Sequence, residues 1–162
     1  MTVADPVSVS ACARAITAEE ASYRIDYPLA YARSTRVIAF DESAAVFVRA
    51  IAQEPWGLAR FYTASGSGEQ LLTLEGETVD MKTEIDHSDS VVMVATNGIA
   101  AAAVAAVGAV ARERAIMTAG LLFLDEGDLT GETLLAIRPH ARILLVPAEH
   151  EDLYQLLVAI RA

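Results

Sequence analysis

Ser90-Val91-Val92-Met93-Val94-Ala95, followed by Thr96-Asn97-Gly98 and an alanine-rich run from Ile99 to Arg114, is the stretch that decides the fold. Six residues with no apolar–polar alternation suit a strand covered on both faces rather than one open to water on one side. Asn97-Gly98 is turn chemistry. Residues 99–114 then carry polar side chains only at their end, which predicts a buried helix, and residues 115–124 hold a second apolar strand. Residues 91–111 carry no charge over a length sufficient to cross a bilayer. Alanine and valine are weakly hydrophobic, however, and Asn97-Gly98 interrupts the run, so strand–turn–helix is favoured over a membrane span.

The same rhythm extends in both directions. Towards the C-terminus, residues 130–137 read as a short helix and 142–146 as a strand. Residues 149–161 read as an amphipathic helix with Leu153, Leu156, Leu157 and Ile160 on one side. Towards the N-terminus, residues 60–64 form a strand closed by Ser65-Gly66-Ser67-Gly68, and 44–53 a helix stopped by Pro55-Trp56-Gly57. Residues 36–40 form an apolar strand running into Asp41-Glu42-Ser43. Residues 71–74 and 78–81 flank Glu75-Gly76-Glu77, either as a hairpin or as an irregular excursion. Residues 7–24 hold a helical pattern through Val9, Cys12, Ala13, Ile16 and Ala21, ended by Tyr27-Pro28.

Apolar strands alternating with helices predict an α/β fold, a doubly wound Rossmann-like three-layer sandwich. About five mostly parallel strands are expected, the first of them central and the crossovers right-handed. No linker or composition break divides the chain, so one domain over residues 1–162 is expected, with residues 1–35 as a helical extension packed on it.

Composition narrows the function classes. The 162 residues carry a net charge of −10 with 12 basic side chains, and no basic run occurs. A field of that sign disfavours nucleic acid and anionic lipid. Cys12 is the only cysteine, which excludes an internal disulfide and a thiolate metal cage. The start, Met1-Thr2-Val3-Ala4-Asp5-Pro6, has no cationic stretch ahead of an apolar one, so the expected location is cytoplasmic.

In an open parallel sheet, ligands bind beyond the carboxyl ends of the strands. The loops expected there carry Asp41-Glu42-Ser43, Ser65-Gly66-Ser67-Gly68, Thr96-Asn97-Gly98, Asp125-Glu126-Gly127 and Ala148-Glu149-His150. A dinucleotide fingerprint would place glycines after the first strand, where two carboxylates stand, and no Gly-rich Lys-Ser/Thr loop exists. Ser65-Gly66-Ser67-Gly68 is donor-rich but reads as a linker, and Asn97 or Gly98 reads as a helix cap. Asp41, Glu42, Asp125, Glu126 and Glu149 would form an acid–base or hard-cation rim if they met, yet acidic residues at helix starts ordinarily serve the helix dipole. Neither metal nor cofactor is demanded by the spacing.

His87, His140 and His150 are scattered without metal-ligand spacing; His150, between Glu149 and Glu151, is the best candidate base, set against an exposed helix start. Cys12 on an apolar helical face reads as inert. No serine has nucleophile-elbow glycines at the right offsets. The helix at 99–111 is small and apolar around its circumference, with Gly108 in its middle, and must be covered on every side. Burial within the monomer or a homodimer contact would each achieve that.

From Asp89 to Gly98 the order of residues resembles two families. In sugar isomerase domains an acidic residue and an apolar strand precede a Ser/Thr-rich phosphate loop, a helix and a second strand. A later segment there looks like Ala141-Arg142-Ile143-Leu144-Leu145-Val146-Pro147. That resemblance spans residues 36–162 and implies a phosphosugar site in the loop, where this chain keeps only Thr96 before Asn97-Gly98-Ile99-Ala100. The nucleotide-binding half of bacterial tubulin relatives is similar over the same stretch, at Thr118-Ala119-Gly120-Leu121-Leu122-Phe123 and at Leu145-Val146-Pro147. It implies a GTP loop whose glycines are here Asn97 and alanines. Both resemblances imply the skeleton without the phosphate machinery.

The residues therefore favour a non-catalytic cytoplasmic α/β module that binds a small ligand or a partner protein, as a homodimer. The second reading is a nucleotide- or sugar-phosphate-binding protein or enzyme. It would use the Ser65–Gly68 and Thr96–Gly98 loops with carboxylates at Asp41 and Asp125.

Overall fold

Valine, isoleucine and alanine in unbroken runs have the branched or small side chains that a pleated surface buried on both faces accommodates. In the computed structural model, which describes residues 31–64, 66–96, 101–124 and 131–162, those runs are the central strands. The elements are β1 (Thr35–Ala39), α1 (Glu42–Ile51), β2 (Arg60–Ala64), β3 (Gln70–Thr73), β4 (Thr78–Asp80), α2 (Met81–Asp86) and β5 (Ser90–Ala95). They continue with α3 (Ala101–Glu113), β6 (Met117–Phe123), α4 (Gly131–Ile137), β7 (Ile143–Ala148) and α5 (His150–Ala159). The helix expected over residues 7–24, with Cys12, lies outside the described residues.

The strands form one sheet in the order β4-β3-β2-β1-β5-β6-β7. β2, β1, β5, β6 and β7 are parallel, and β3 and β4 are antiparallel to their neighbours. The expected α/β doubly wound architecture is thus present, with the first strand at the centre of seven. The strand count rises from five to seven because residues 70–80 form a true hairpin. Gly76, at φ +91°, makes its turn, and Glu77 N–H donates to Thr73 Oγ1 at 3.1 Å. Antiparallel pairing stays at one edge, where short strands are tolerated.

Successive side chains in a strand face opposite ways, so each central strand feeds two cores. Ile38, Phe40, Val91, Met93, Ala95 and Leu122 meet Met81 and Ile85 of α2, Val104 and Val107 of α3, and Ile137 of α4. Val37, Ala39, Val92, Val94, Leu121 and Phe123 meet Ala44 and Val48 of α1 and Leu153 and Leu157 of α5. The result is three layers. Full burial of each such aliphatic side chain contributes about 1.5–3 kcal/mol.

Helix ends follow from local chemistry. Asp41 caps α1 by accepting from Ala44 N–H at 2.8 Å, and Trp56 Nε1 donates to the Ile51 carbonyl at 2.7 Å where α1 stops. Asp80 caps α2 through Thr83 N–H and Oγ1, and the Thr83 backbone bond chiefly holds its carboxyl below the usual range. The uncharged run at 91–111 resolves into β5 and most of α3. Among the described residues no helix is long and apolar enough to cross a membrane.

Packing bears on two expectations. Within the chain α3 is covered on one face only: Ala103, Val104, Val107, Gly108, Val110 and Ala111 are buried, while Ala101, Ala102, Ala105 and Ala109 are exposed. Alanine is small enough to leave facing water at little cost. Gly108 is also explained within the chain, because a Cβ there would lie 2.2–2.5 Å from the His140 side chain. The glycine makes room for an imidazole rather than for a strand or a second subunit.

Candidate functional site

The chain runs outward from β1 to β2 and then returns to β5 on the other side of β1, so the strand order reverses between β1 and β5. A doubly wound sheet opens its ligand crevice at that point. Asp41 follows β1 and Thr96 follows β5, and the two residues meet. Asp41 Oδ1 accepts from Thr96 Oγ1 at 2.6 Å as well as from Ala44 N–H, and Asp41 Oδ2 accepts from Thr96 N–H at 2.7 Å. Three donors of the protein itself therefore occupy this carboxylate. It joins the start of α1 to the end of β5.

The other described acidic candidates, Glu42 and Glu149, do not gather there. Glu42 is exposed and pairs with Arg49 at 2.9 Å along α1. Glu149 follows β7, with β5 and β6 lying between β7 and β1 in the sheet; its N–H donates to Asp152 Oδ2 at 2.8 Å at the start of α5. Among the described residues, no three His, Cys, Asp or Glu side chains are placed to hold a metal ion. Asp125, Glu126, Gly127, Asn97, Gly98 and Ser65 lie outside the described residues. Ser43 is exposed at the first turn of α1.

The glycine loop after β2 is more than a linker. Gly66 and Gly68 have φ of +58° and +80°, and Gly68 is buried. A Cβ on Gly68 would lie 2.6 Å from the Ala103 Cα, so the loop's backbone rests directly on the first turn of α3. Ser67 is exposed beside it. The loop after β2 and the helix that follows β5 are therefore neighbours.

His150 packs among aromatic rings. Its ring stands edge-on to Phe47 of α1 with centroids 4.2 Å apart, and Phe47 stacks on Phe123 of β6 at 4.5 Å. His87 Nδ1 lies 2.7 Å from the Thr83 carbonyl behind α2. His140 sits in the turn before β7, at the opposite end of the sheet from the crevice, and burial, then the Arg112 charge, holds its imidazole below the usual 6.5.

One polar cluster carries no plain signal in the sequence. Arg36, the second residue of β1, is only 3% exposed. Its Nε lies 3.2 Å from Glu84 Oε2 and donates to the Glu84 carbonyl at 3.1 Å; its other nitrogens donate to Ser34 Oγ and the His87 carbonyl. Tyr62 donates its hydroxyl to the same Glu84 carboxylate. Burial, with the Glu84 hydrogen bond and charge, pushes the Tyr62 phenol up to about 12. Every charge in the cluster has a partner, which makes it a brace between β1, β2 and α2. An arginine leading a run as apolar as Val37-Ile38-Ala39-Phe40 is the one hint of it.

No protein-family model and no curated protein matches the chain. Among solved structures it is similar to a proposed pilus assembly-related protein of Burkholderia pseudomallei, at 21% identity and a TM-score of 0.48, over 83% of this chain and 95% of that one. A proposed pilus assembly protein of Burkholderia thailandensis is similar at 20% identity and a TM-score of 0.43, over 78% and 95% of the two chains. Identity at this level transfers no residue role.

Proposed function

We propose that this chain is a non-catalytic α/β module of the cytoplasm that binds a small ligand or a partner protein, the first such partner being a second copy of itself. The observation that supports this reading most is the occupied Asp41 carboxylate. General acid–base or cation chemistry at a switch point needs a carboxylate with free lone pairs directed at the ligand. Asp41 spends both oxygens on Ala44 and Thr96, and no second described carboxylate joins it. On this reading the likeness to sugar isomerase domains and tubulin relatives is one of skeleton. The exposed alanines of α3 are consistent with close approach of a second copy.

The rival is a nucleotide or sugar-phosphate site built from the loops after β2 and β5, which the seating of Gly68 on Ala103 favours. A ¹⁵N-detected titration with ATP–Mg²⁺ and with a sugar phosphate separates the two. The proposed reading expects the Asp41, Gly68 and Thr96 amides to stay in place. Saturable movement of those amides would overturn it in favour of the rival. Sedimentation equilibrium tests the self-association, which a monomer at all accessible concentrations would eliminate.

A further inference from the structure

At the end of the sheet opposite the crevice, the last turn of α3, the start of β6 and the turn before β7 enclose a cavity of about 270 Å³. Gly108, Arg112, Thr118, His140 and Arg142 are among the residues that line it, and no carboxylate does. Arg36, Arg49, Arg60 and Arg114 each lie within 4.0 Å of an acidic side chain. Among the described residues neither cavity arginine makes an ion pair, and Arg112 donates to the Pro139 carbonyl at 3.1 Å. Two guanidiniums without a described counter-charge thus share one cavity in a chain whose net charge is −10.

The third member is His140. Its ring fills the space that Gly108 leaves, with Nδ1 sealed against that glycine and without a hydrogen-bond partner among the described residues, so the rest of the ring forms part of the cavity wall. The α3 carbonyls at this end would repel an anion, but those of Val110, Ala111 and Arg112 already accept from the Arg114, Ile116 and Ala115 N–H groups. Thr118 is committed as well, donating its hydroxyl to the His140 carbonyl at 2.6 Å and so holding the turn in place.

We propose that the cavity formed by Arg112, His140 and Arg142 is a binding site for a phosphate group, free or as a small phosphate ester. Guanidinium forks match a phosphate's oxygens in pairs, and two positive charges match a dianion better than a monocarboxylate. The volume is below the range of about 300–1,000 Å³ usual for larger organic ligands, which suits a phosphoryl group with little attached. This rests on reading the module as a small-ligand binder and names the ligand's class. It is independent of the crevice.

The test is a ¹⁵N-detected titration of the full chain with inorganic phosphate and, separately, with glycerol 3-phosphate, against chloride at matched ionic strength. Saturable shifts are expected at the amides of residues 108–118 and 139–142, with a dissociation constant of about 1 mM or tighter. Arg112→Gln and Arg142→Gln should each weaken binding about tenfold, with the amides outside residues 108–118 and 139–142 unchanged. Shifts from the ester alone would assign the site to esters, and shifts from both to the phosphate group itself. The proposal is overturned if no saturable shift appears, if chloride reproduces it, or if it survives both substitutions. Movement at Asp41, Gly68 or Thr96 would instead count against the function proposed above, so the two ideas fail separately.

Discussion

Gly108 and His140 form a pair in which one residue's lack of a side chain is the other's space. Gly108→Ala should gain about 1 kcal/mol of helix propensity. It should lose more than that, about 2–3 kcal/mol, by driving a methyl into the imidazole, for a net loss in urea denaturation. In a His140→Gly background, which also removes the His140 Cβ that would stand 2.5 Å from the new methyl, the same substitution should lose most of that cost, and that recovery checks the contact. Asp41 and Thr96 are coupled in another way. Thr96→Val removes one hydrogen bond to Asp41 and should cost about 1–1.5 kcal/mol. Once Asp41→Ala has removed the acceptor and the α1 cap, Thr96→Val should cost almost nothing further.

At the scale of elements, the brace among β1, β2 and α2 is the clearest test of burial. Glu84→Gln leaves the Arg36 guanidinium buried without its counter-charge and should cost about 3 kcal/mol. Arg49→Gln, which breaks an exposed pair on α1, should cost less than about 0.5 kcal/mol. Tyr62 adds a pH signature. Its phenol pKa is raised from 10.0 to about 12, so between those values the folded chain holds a proton that the unfolded chain has released. Stability present below pH 10 should therefore fall as pH rises through that window, by about 2–3 kcal/mol. Tyr62→Phe should lack this component, as chemical denaturation at stepped alkaline pH would measure.

For the molecule as a whole, the order of the sheet ranks its parts. β5 is buried at every position and paired on both sides, whereas β4 is three residues at an edge. Amide exchange should be slowest at Val91, Val92, Met93 and Val94, tracking global unfolding, and fastest among the strands in β4. Equal protection across the sheet would contradict this layering.

The α/β alternation, the parallel core and the central place of β1 were legible because a strand buried on both faces and a helix buried on one leave different apolar periods. The hairpin at residues 70–80 was legible only as one of two options, since Glu75-Gly76-Glu77 suits a tight turn and a loop alike. α2 escaped because six residues hold less than two turns, although Asp80 as cap and Met81 with Ile85 at helical spacing were its trace. The site was less readable. Asp41 stood out as acidic at a strand end, but its engagement depends on Thr96, fifty-five residues away in the chain. His140 likewise looked unremarkable until Gly108, Arg112 and Arg142 were brought around it. Local periodicity determines which elements form and which faces they bury. Which polar groups satisfy one another is settled by pairing across the sheet, where residues far apart in sequence come within hydrogen-bond reach.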